Sequence, residues 1–348
     1  MTVPSFAPPA LPEGPAATAP PERRGLQRDE VRLMVATPGE ILHDRFRHLP
    51  RHLGPGDVVV VNTSATRPSA VDARSGAGRA VIHLSALRED GEWVVEVRRS
   101  DGHGPSRRVT SGQRYRLEGG GRLRISAPAP TGGPRRLWLA ELWTPGPVEA
   151  YLSAHGRPIS YGYSEGQRPL SDYQTIFARP DDPTGASAEM PSAARPFSHP
   201  MVTDLVRRGI VVVPLTLHAG VSSLERHERP PTERFEVPGV TAAAVNAARA
   251  RGRRVVSVGT TVTRALESAA DADGNVEATR GWTDLVLGPE RPTRVVTGLV
   301  TGWHPPDASH LLLLEAVAGA ALLHRAYRSA ADHSYLWHEF GDSCLLLP

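Results

Sequence analysis

The second half of the chain alternates Val-rich segments with helical segments, and this order constrains the fold more than any other feature. Beyond residue 200, the apolar stretches IVVVPLTLHAG and RRVVSVG alternate with the helical stretches TAAAVNAARARG and TRALESAA. A strand that is apolar on both faces must be covered on both sides, which is typical of a mostly parallel sheet between helices. The sequence therefore predicts an α/β fold with a mostly buried mixed or parallel sheet.

A different pattern occupies residues 67–148. Short alternating segments, bounded by Gly, Pro and Asp, follow one another in RAVIHLSAL, EWVVEVRR, QRYRLEGGGRLRIS and RRLWLAEL. Such segments predict antiparallel strands, here an inserted β-barrel-like domain. The α/β catalytic domain is then expected at 29–66 and 149–348, and the Pro/Ala-rich residues 1–28 are expected to form a disordered tail.

Composition excludes several kinds of chemistry. The chain has 40 basic residues, all of them arginine, so neither a Schiff-base lysine nor a Walker phosphate-binding lysine is available. The single cysteine, Cys344, can form no internal disulfide and fits a cytoplasmic location. We find no HExxH motif and no paired cysteines, so no metal is expected. The longest apolar run, which contains Glu315, is too short for a membrane span and predicts a buried helix.

The stretch RRVVSVGTTVTRALE has the build of a ligand-binding turn. Gly259, Thr260 and Thr261 stand between a buried strand and a helix. Glycine allows close approach of a ligand, a threonine can cap the first amides of the helix, and the remaining amides favour anions. The alternative is an ordinary capped helix.

Two further strand ends repeat this pattern. Thr216, His218 and Gly220 follow one Val-rich strand, and His304 follows another in VTGWHPPDASHLLLL. A single histidine in such a place is usually structural, but two at strand ends of one sheet favour a pocket. Asp342, before the last apolar segment, is equally typical of a turn and of a site.

Four arginines alternate along two segments of the predicted barrel. Arg114 and Arg116 precede the EGGG turn, and Arg122 and Arg124 follow it. A hairpin would bring all four to one face, where they could follow a phosphate backbone. The alternative is a solvated outer face.

The order of motifs resembles the S-adenosylmethionine:tRNA ribosyltransferase-isomerase family of queuosine biosynthesis, from about residue 28 to the C-terminus. The segments that carry the resemblance are FRHLPRHLGPGDVVVVN, DYQTIFA, VPLTLHAGVSS, RRVVSVGTTVTRALES, VTGWHPPDASHLLLLEAVAGA and YLWHEFGDSCLLL. The resemblance implies an α/β domain with an inserted barrel. It also implies S-adenosylmethionine as a substrate, with transfer and rearrangement of its ribosyl part, and no metal.

The resemblance implies roles for the residues singled out above. The positive sulfonium acidifies the adjacent CH₂, so a modest base is enough to remove a proton there, and Glu233 or His218 is the candidate base. Arg264 is the candidate partner of the methionine carboxylate. The expected catalytic residues are Glu233, His218, His304 and Arg195, and the expected S-adenosylmethionine-binding residues are Gly259, Thr260, Thr261, Arg264, Gly220, Thr216 and Asp342.

Several loops depart from the family pattern. NTSATRPS lacks an Asp and an Arg of the family run, ISYGY replaces Pro-Pro-Tyr-Ile, and MPSAARPF places Arg195 and Pro196 where Leu-His is usual. Because the strand-to-helix turns are kept, we expect S-adenosylmethionine binding to be retained and the acceptor to have changed. The sequence thus favours a small-molecule acceptor, or elimination or cyclisation of S-adenosylmethionine alone.

Three alternatives remain open at this point. One is a genuine tRNA ribosyltransferase-isomerase that makes epoxyqueuosine. Another is an inactive tRNA-binding protein of the same fold, for which the four arginines are the main support. In the third, the resemblance extends to the fold alone and the ligand is unrelated. No membrane partner is expected.

Overall fold

The computed structural model describes residues 11–101, 104–106, 108–129, 136–162, 166–222, 230–306 and 308–348. Within them, the strands in chain order are β1 Arg32–Ala36, β2 Ile41–Arg45, β3 Val58–Asn62, β4 Ala70–Ser75, β5 Gly78–Leu87, β6 Trp93–Arg99, β7 Arg114–Leu117, β8 Arg122–Pro128, β9 Leu137–Trp143, β10 Val211–Leu217, β11 Glu233–Val237, β12 Val255–Val258, β13 Thr279–Thr283, β14 Gly298–Gly302 and β15 Ser343–Leu346. The α-helices are α1 Val148–His155, α2 His199–Arg207, α3 Gly239–Ala250, α4 Thr260–Ser268 and α5 His310–Asp332. Short 3₁₀ helices span Pro21–Arg24, Arg28–Glu30, Phe46–His52, Glu118–Gly120, Leu170–Tyr173 and Ser192–Ala194.

Nine strands form a mixed sheet in the order β13-β11-β10-β3-β12-β14-β15-β1-β2. The centre, β10-β3-β12-β14, is parallel throughout, and all five residues of β3 are buried. Apolar side chains pack on both faces of the sheet, and for this reason the central strands appear in the sequence as continuous apolar runs. The predicted α/β class is confirmed.

The remaining strands form a closed antiparallel barrel in the order β4-β5-β6-β9-β8-β7, and β7 pairs back with β4. Its strands span residues 70–143, within the predicted range 67–148. The chain enters it after β3 and leaves it before α1, so the barrel interrupts the α/β domain, as the alternating pattern predicts.

The predicted disordered tail is wrong for the part of it that the structure describes. Residues 11–28 pack on the C-terminal part of the chain, and Leu11 and Ala17 are buried. The amide of Ala17 donates to the carbonyl of Trp337 at 3.0 Å, and the amide of Trp337 donates to the carbonyl of Pro15 at 2.9 Å. A Pro/Ala-rich composition does not prevent burial when a large aromatic side chain offers a surface.

Helix α5 carries the longest apolar run, and most of that run is buried, as predicted. The helix is interrupted at Gly319, whose φ of 72° lies in the left-handed region that glycine adopts readily. Within the described residues, no helix combines the length and the apolar character that a membrane crossing requires.

Candidate active site

A cavity of about 330 Å³ opens where the parallel strands β10, β12 and β14 end. Ligands of α/β sheets bind at this edge, outside the carboxyl ends of the strands. Seven of the predicted site residues line the cavity: Gly220, Glu233, Gly259, Thr260, Thr261, Arg264 and His304. Four others, Thr216, His218, Arg195 and Asp342, are not part of its wall.

The start of helix α4 forms one wall of the cavity. Gly259 precedes the helix with a φ of 91°, a conformation that favours glycine. Among the described residues, no side chain caps this end of the helix, which corrects the expectation of a threonine cap. The first amides of the helix, next to Thr260 and Thr261, therefore lack a side-chain acceptor and carry the positive end of the helix dipole. This wall is suited to an anionic group.

An ion pair between Arg264 and Glu233 lies at the cavity, and both side chains are almost completely buried. The Arg264 side chain also donates to three backbone carbonyl oxygens, those of Pro231, Thr283 and Leu285. Four of its five N–H donors are thus used within the protein. Its main contact is with Glu233, which leaves one N–H donor for a substrate carboxylate, and that expected contact stays a prediction.

Glu233 is the buried carboxyl group of the cavity. One of its oxygens accepts a hydrogen bond from the amide of Gly220 at 2.9 Å, and the other accepts from Arg264. Burial raises the pKa of Glu233 above its usual value, while Arg264 and the Gly220 amide act in the opposite direction. A carboxylate with a raised pKa is a better proton acceptor than one in water, as a general base requires.

Two imidazole rings form a stacked pair in the cavity wall. The ring centroids of His304 and His310 lie 4.5 Å apart and their planes differ by 3°. Burial lowers the pKa of His304 well below its usual value, and that of His310 to about 4. Thr301 lies 3.2 Å from Nε2 of His304, whereas the buried Nδ1 of His310 has no hydrogen-bond partner among the described residues. The pair is neutral at pH 7 and presents an uncharged, flat surface.

His218 and Thr216 lie beside the cavity and not in its wall. The two ring nitrogens of His218 contact the hydroxyls of Ser64 and Thr184, at 2.8 and 2.9 Å. The hydroxyl of Thr216 lies 2.9 Å from that of Thr63, between strands. The polar atoms of both side chains are engaged in the protein, so the expected roles of His218 as base and of Thr216 as ligand stay predictions that this geometry does not support.

Arg195 and Asp342 serve the packing of the chain termini. Arg195 forms an ion pair with Glu22 at 3.0 Å and is 2% exposed. Asp342 forms an ion pair with Arg32 at 2.7 Å and also accepts from the amide of Leu336. Neither side chain lines the cavity, so the expected catalytic role of Arg195 and the expected binding role of Asp342 stay predictions that this geometry does not support.

Among the histidine and acidic side chains of the cavity wall, sequence reasoning missed Glu189 and His310. Glu189 lies in an irregular segment with no periodicity to mark it. His310 follows a polar loop and begins an apolar helix, and it could have been found because it is the second histidine after the end of β14. Among the described residues, no group of three or more His, Cys, Asp and Glu side chains is arranged to hold a metal ion.

The barrel carries a row of exposed arginines. Strand pairing sets Arg79 opposite Arg74, Arg74 opposite Arg116, and Arg116 opposite Arg122. Arg122 lies opposite Trp143, and its guanidinium is 5.3 Å from the ring centroid of that exposed side chain. From Arg79 to Arg122 this arginine row crosses three strand spacings of about 4.8 Å, which gives it a length of about 14 Å.

The predicted hairpin of four arginines is confirmed as a hairpin. Arg114 pairs with Arg124, next to the pair of Arg116 and Arg122. Arg124, however, forms an ion pair with Glu141, which reduces its capacity for an external anion. No ion pair involves Arg74, Arg116 or Arg122 within the described part of the chain, so positive charge extends from the hairpin along the row towards Arg74.

Comparison with known proteins gives matches over nearly the whole chain. A family model described as queuosine biosynthesis protein matches residues 9–346. The S-adenosylmethionine:tRNA ribosyltransferase-isomerase of Moorella thermoacetica is 36% identical over 97% of this chain and 97% of its own. The enzyme of the same name from Gloeobacter violaceus is 35% identical, over 97% of this chain and 94% of its own.

A solved structure agrees with the fold. The crystal structure of the S-adenosylmethionine tRNA ribosyltransferase from Thermotoga maritima matches with a TM-score of 0.53 and 26% sequence identity. The match covers 97% of this chain and 99% of that protein. The likeness therefore includes both the interrupted α/β domain and the barrel.

Proposed function

Because the chain belongs to the queuosine biosynthesis protein family, we propose that it is an S-adenosylmethionine:tRNA ribosyltransferase-isomerase. In this reaction the ribosyl part of S-adenosylmethionine is transferred to an aminomethyl deazaguanine base in tRNA and rearranged, with loss of adenine and methionine. The observation that carries the proposal is a buried carboxyl group, Glu233, in one cavity with the uncapped start of helix α4. Glu233 provides a base, and the start of helix α4 provides a binding site for a carboxylate.

Glu233 is the proposed general base. The sulfonium of S-adenosylmethionine acidifies the carbon next to it, and a carboxylate of raised pKa can remove that proton. Arg264 acts as a positioning residue, because its ion pair fixes the Glu233 carboxylate and its other donors fix the arginine.

The methionine carboxylate is assigned to the start of helix α4. The amide of Gly259 donates to the carbonyl of Val300 at 2.8 Å, so it is the amides of Thr260 and Thr261 that the first helical turn brings to the cavity, where the helix dipole favours an anion. The neutral pair of His304 and His310 offers a flat surface that suits the adenine ring. These roles complete the substrate site without any of the residues that lie outside the cavity.

The proposed acceptor is tRNA. The departures of the loops from the family pattern favour a small molecule, but the relatives that match nearly the full length bear the name of the tRNA enzyme. The arginine row adds a positively charged surface about 14 Å long, which suits a phosphate backbone.

The test is incubation of the purified protein with S-adenosylmethionine, with and without tRNA that carries the deazaguanine base, followed by mass spectrometry. Release of adenine and methionine only with tRNA is the expected result. Turnover without tRNA would replace the proposed acceptor by chemistry on S-adenosylmethionine alone. No turnover, with tRNA still bound, would favour an inactive binding protein. Glu233→Gln, which keeps the shape of the side chain, should abolish turnover and retain S-adenosylmethionine binding.

A further inference from the structure

A second carboxyl group of the cavity, Glu189, has no cationic partner among the residues that the structure describes. Glu189 is partly buried, and its contacts within the described residues are all with neutral donors. The hydroxyls of Tyr161 and Ser222 donate to it, and so does the amide of Ser222 at 2.9 Å. This differs from Glu233, whose charge is compensated by Arg264.

The surroundings hold Glu189 in place. Arg136 donates to the carbonyl of Ser222 at 2.9 Å and to the buried carboxylate of Glu96 at 2.9 Å. The guanidinium of Arg98, also bound to Glu96, lies 5.3 Å from the ring centroid of Tyr161. Both donors to Glu189 are thus connected to one buried carboxylate of the barrel. A side chain fixed in this way is pre-organised for a ligand.

The charge of Glu189 indicates which ligand it suits. An ionised carboxylate has about four acceptor positions, and three are used by neutral hydrogen bonds. A partly buried negative charge without a countercharge attracts a cation more strongly than a hydroxyl, because the low local dielectric enhances the Coulomb term. A ligand that brings a positive charge and a hydrogen-bond donor fills the remaining position.

We propose that Glu189 is the ammonium-binding residue of this cavity, where it accepts a hydrogen bond from a primary ammonium group of a substrate. The assignment rests on the proposed function, which supplies two such groups. One is the α-ammonium of S-adenosylmethionine, and the other is the aminomethyl group of the acceptor base. The structure assigns the chemistry of the group, and the experiment distinguishes its source.

The experiment compares the wild-type protein with Glu189→Gln and Glu189→Asp. Titration calorimetry measures the affinity for S-adenosylmethionine and for methylthioadenosine, which lacks the ammonium group. Steady-state assays measure kcat and KM with tRNA. Loss of one charge-assisted hydrogen bond should weaken the affected step by about 10- to 100-fold in Glu189→Gln, with partial recovery in Glu189→Asp.

Either of two results would support the proposal. If Glu189→Gln weakens the binding of S-adenosylmethionine and leaves the binding of methylthioadenosine unchanged, Glu189 binds the methionine ammonium. If both affinities are kept and the KM for tRNA rises, it binds the acceptor amine. The proposal would be overturned if Glu189→Gln had the wild-type melting temperature and left both affinities, kcat and the KM for tRNA unchanged.

The control separates this proposal from the proposed function. Glu315→Gln changes a partly buried carboxyl outside the cavity wall and should leave all values unchanged. If the wild-type protein does not modify tRNA, the proposed function is refuted. The calorimetric comparison of S-adenosylmethionine binding by wild type and Glu189→Gln still tests the ammonium site. An unchanged affinity in Glu189→Gln would then overturn the ammonium site as well.

Discussion

The imidazole of His310 lies parallel to that of His304, with 4.5 Å between the ring centroids and 3° between the planes. This contact fixes the orientation of a ring that lines the cavity. It also keeps two titratable groups close together in a buried place, where their protonated forms are disfavoured. The pair therefore acts as an aromatic surface at neutral pH and not as a charged one.

Replacement of His310 by leucine should impair turnover without unfolding the protein. Leucine retains apolar volume but removes the ring that orients His304. A misplaced wall residue costs on the order of 10- to 100-fold in kcat/KM. Steady-state kinetics and a melting curve together test this. His310→Phe, which keeps an aromatic ring, should retain more activity, and equal losses in both variants would contradict the stacking role.

Removal of the guanidinium of Arg264 should strongly destabilise the fold. Arg264→Ala leaves the Glu233 carboxyl buried without its partner, at a cost of about 3–5 kcal/mol in the free energy of unfolding. Glu233→Gln should also destabilise the fold, because it leaves the buried and permanently charged guanidinium of Arg264 without a countercharge, although the amide oxygen of glutamine can still accept its hydrogen bond. Urea unfolding measures both, and exposed Arg251→Ala is the control. An Arg264→Ala cost similar to the control would refute a structural ion pair.

Loss of charge from the arginine row should weaken tRNA binding in a salt-dependent way. Arg116→Gln with Arg122→Gln should lower the slope of log affinity against log salt by about 1–2. The matched control is Arg88→Gln with Arg99→Gln, on the same barrel, where each arginine already pairs with an aspartate. Filter binding at several salt concentrations gives the slopes. Equal slopes for both double variants would argue against a phosphate-binding row.

The N-terminal segment should contribute to stability. Glu22→Ala removes the carboxylate that pairs with buried Arg195 and should cost about 1 kcal/mol in the free energy of unfolding, since Glu22 is itself partly exposed. Glu13→Ala, at an exposed position of the same segment, is the control. Denaturant unfolding of both variants distinguishes a packed segment from an unattached tail, for which neither change would matter.

Stability should fall as the pH decreases from about 6.5 to about 4. Burial lowers the pKa of His218 to about 4, so in this interval the folded protein binds fewer protons at His218 than the unfolded chain does. Fewer protons in the folded state mean that stability rises with pH and is lost on acidification. His218→Gln should reduce the slope by up to about 1.4 kcal/mol per pH unit. Unfolding measured every half unit of pH tests the sign, and an unchanged slope would contradict it.

The sequence allowed prediction of those parts of the fold that depend on local periodicity. The barrel strands and the strand-to-helix turns follow from short alternating or apolar runs. The order of strands in the large sheet could not be predicted, because β1 pairs with β15, and Leu33 lies opposite Ser343. No local pattern indicates which distant strand completes a sheet.

The site was predictable where backbone geometry determines it. Gly259 to Thr261 follow directly from a strand that ends in glycine, and they line the cavity. Roles that depend on partners were not predictable: Arg264 and His218 have their polar atoms engaged by groups far away in the chain. The packed segment at residues 11–28 was missed for the same reason, since its partner Trp337 lies near the other end.

The pairing of β1 with β15 has a consequence for the order in which the protein folds during synthesis. The barrel is continuous in the chain, so its strands can pair as soon as they have left the ribosome. The large sheet can be completed only at the end of synthesis, because β15, which lies between β14 and β1, is almost the last segment to be translated. Until then β1 lacks one hydrogen-bonded neighbour, and its apolar side chains depend on early partners or chaperones for protection.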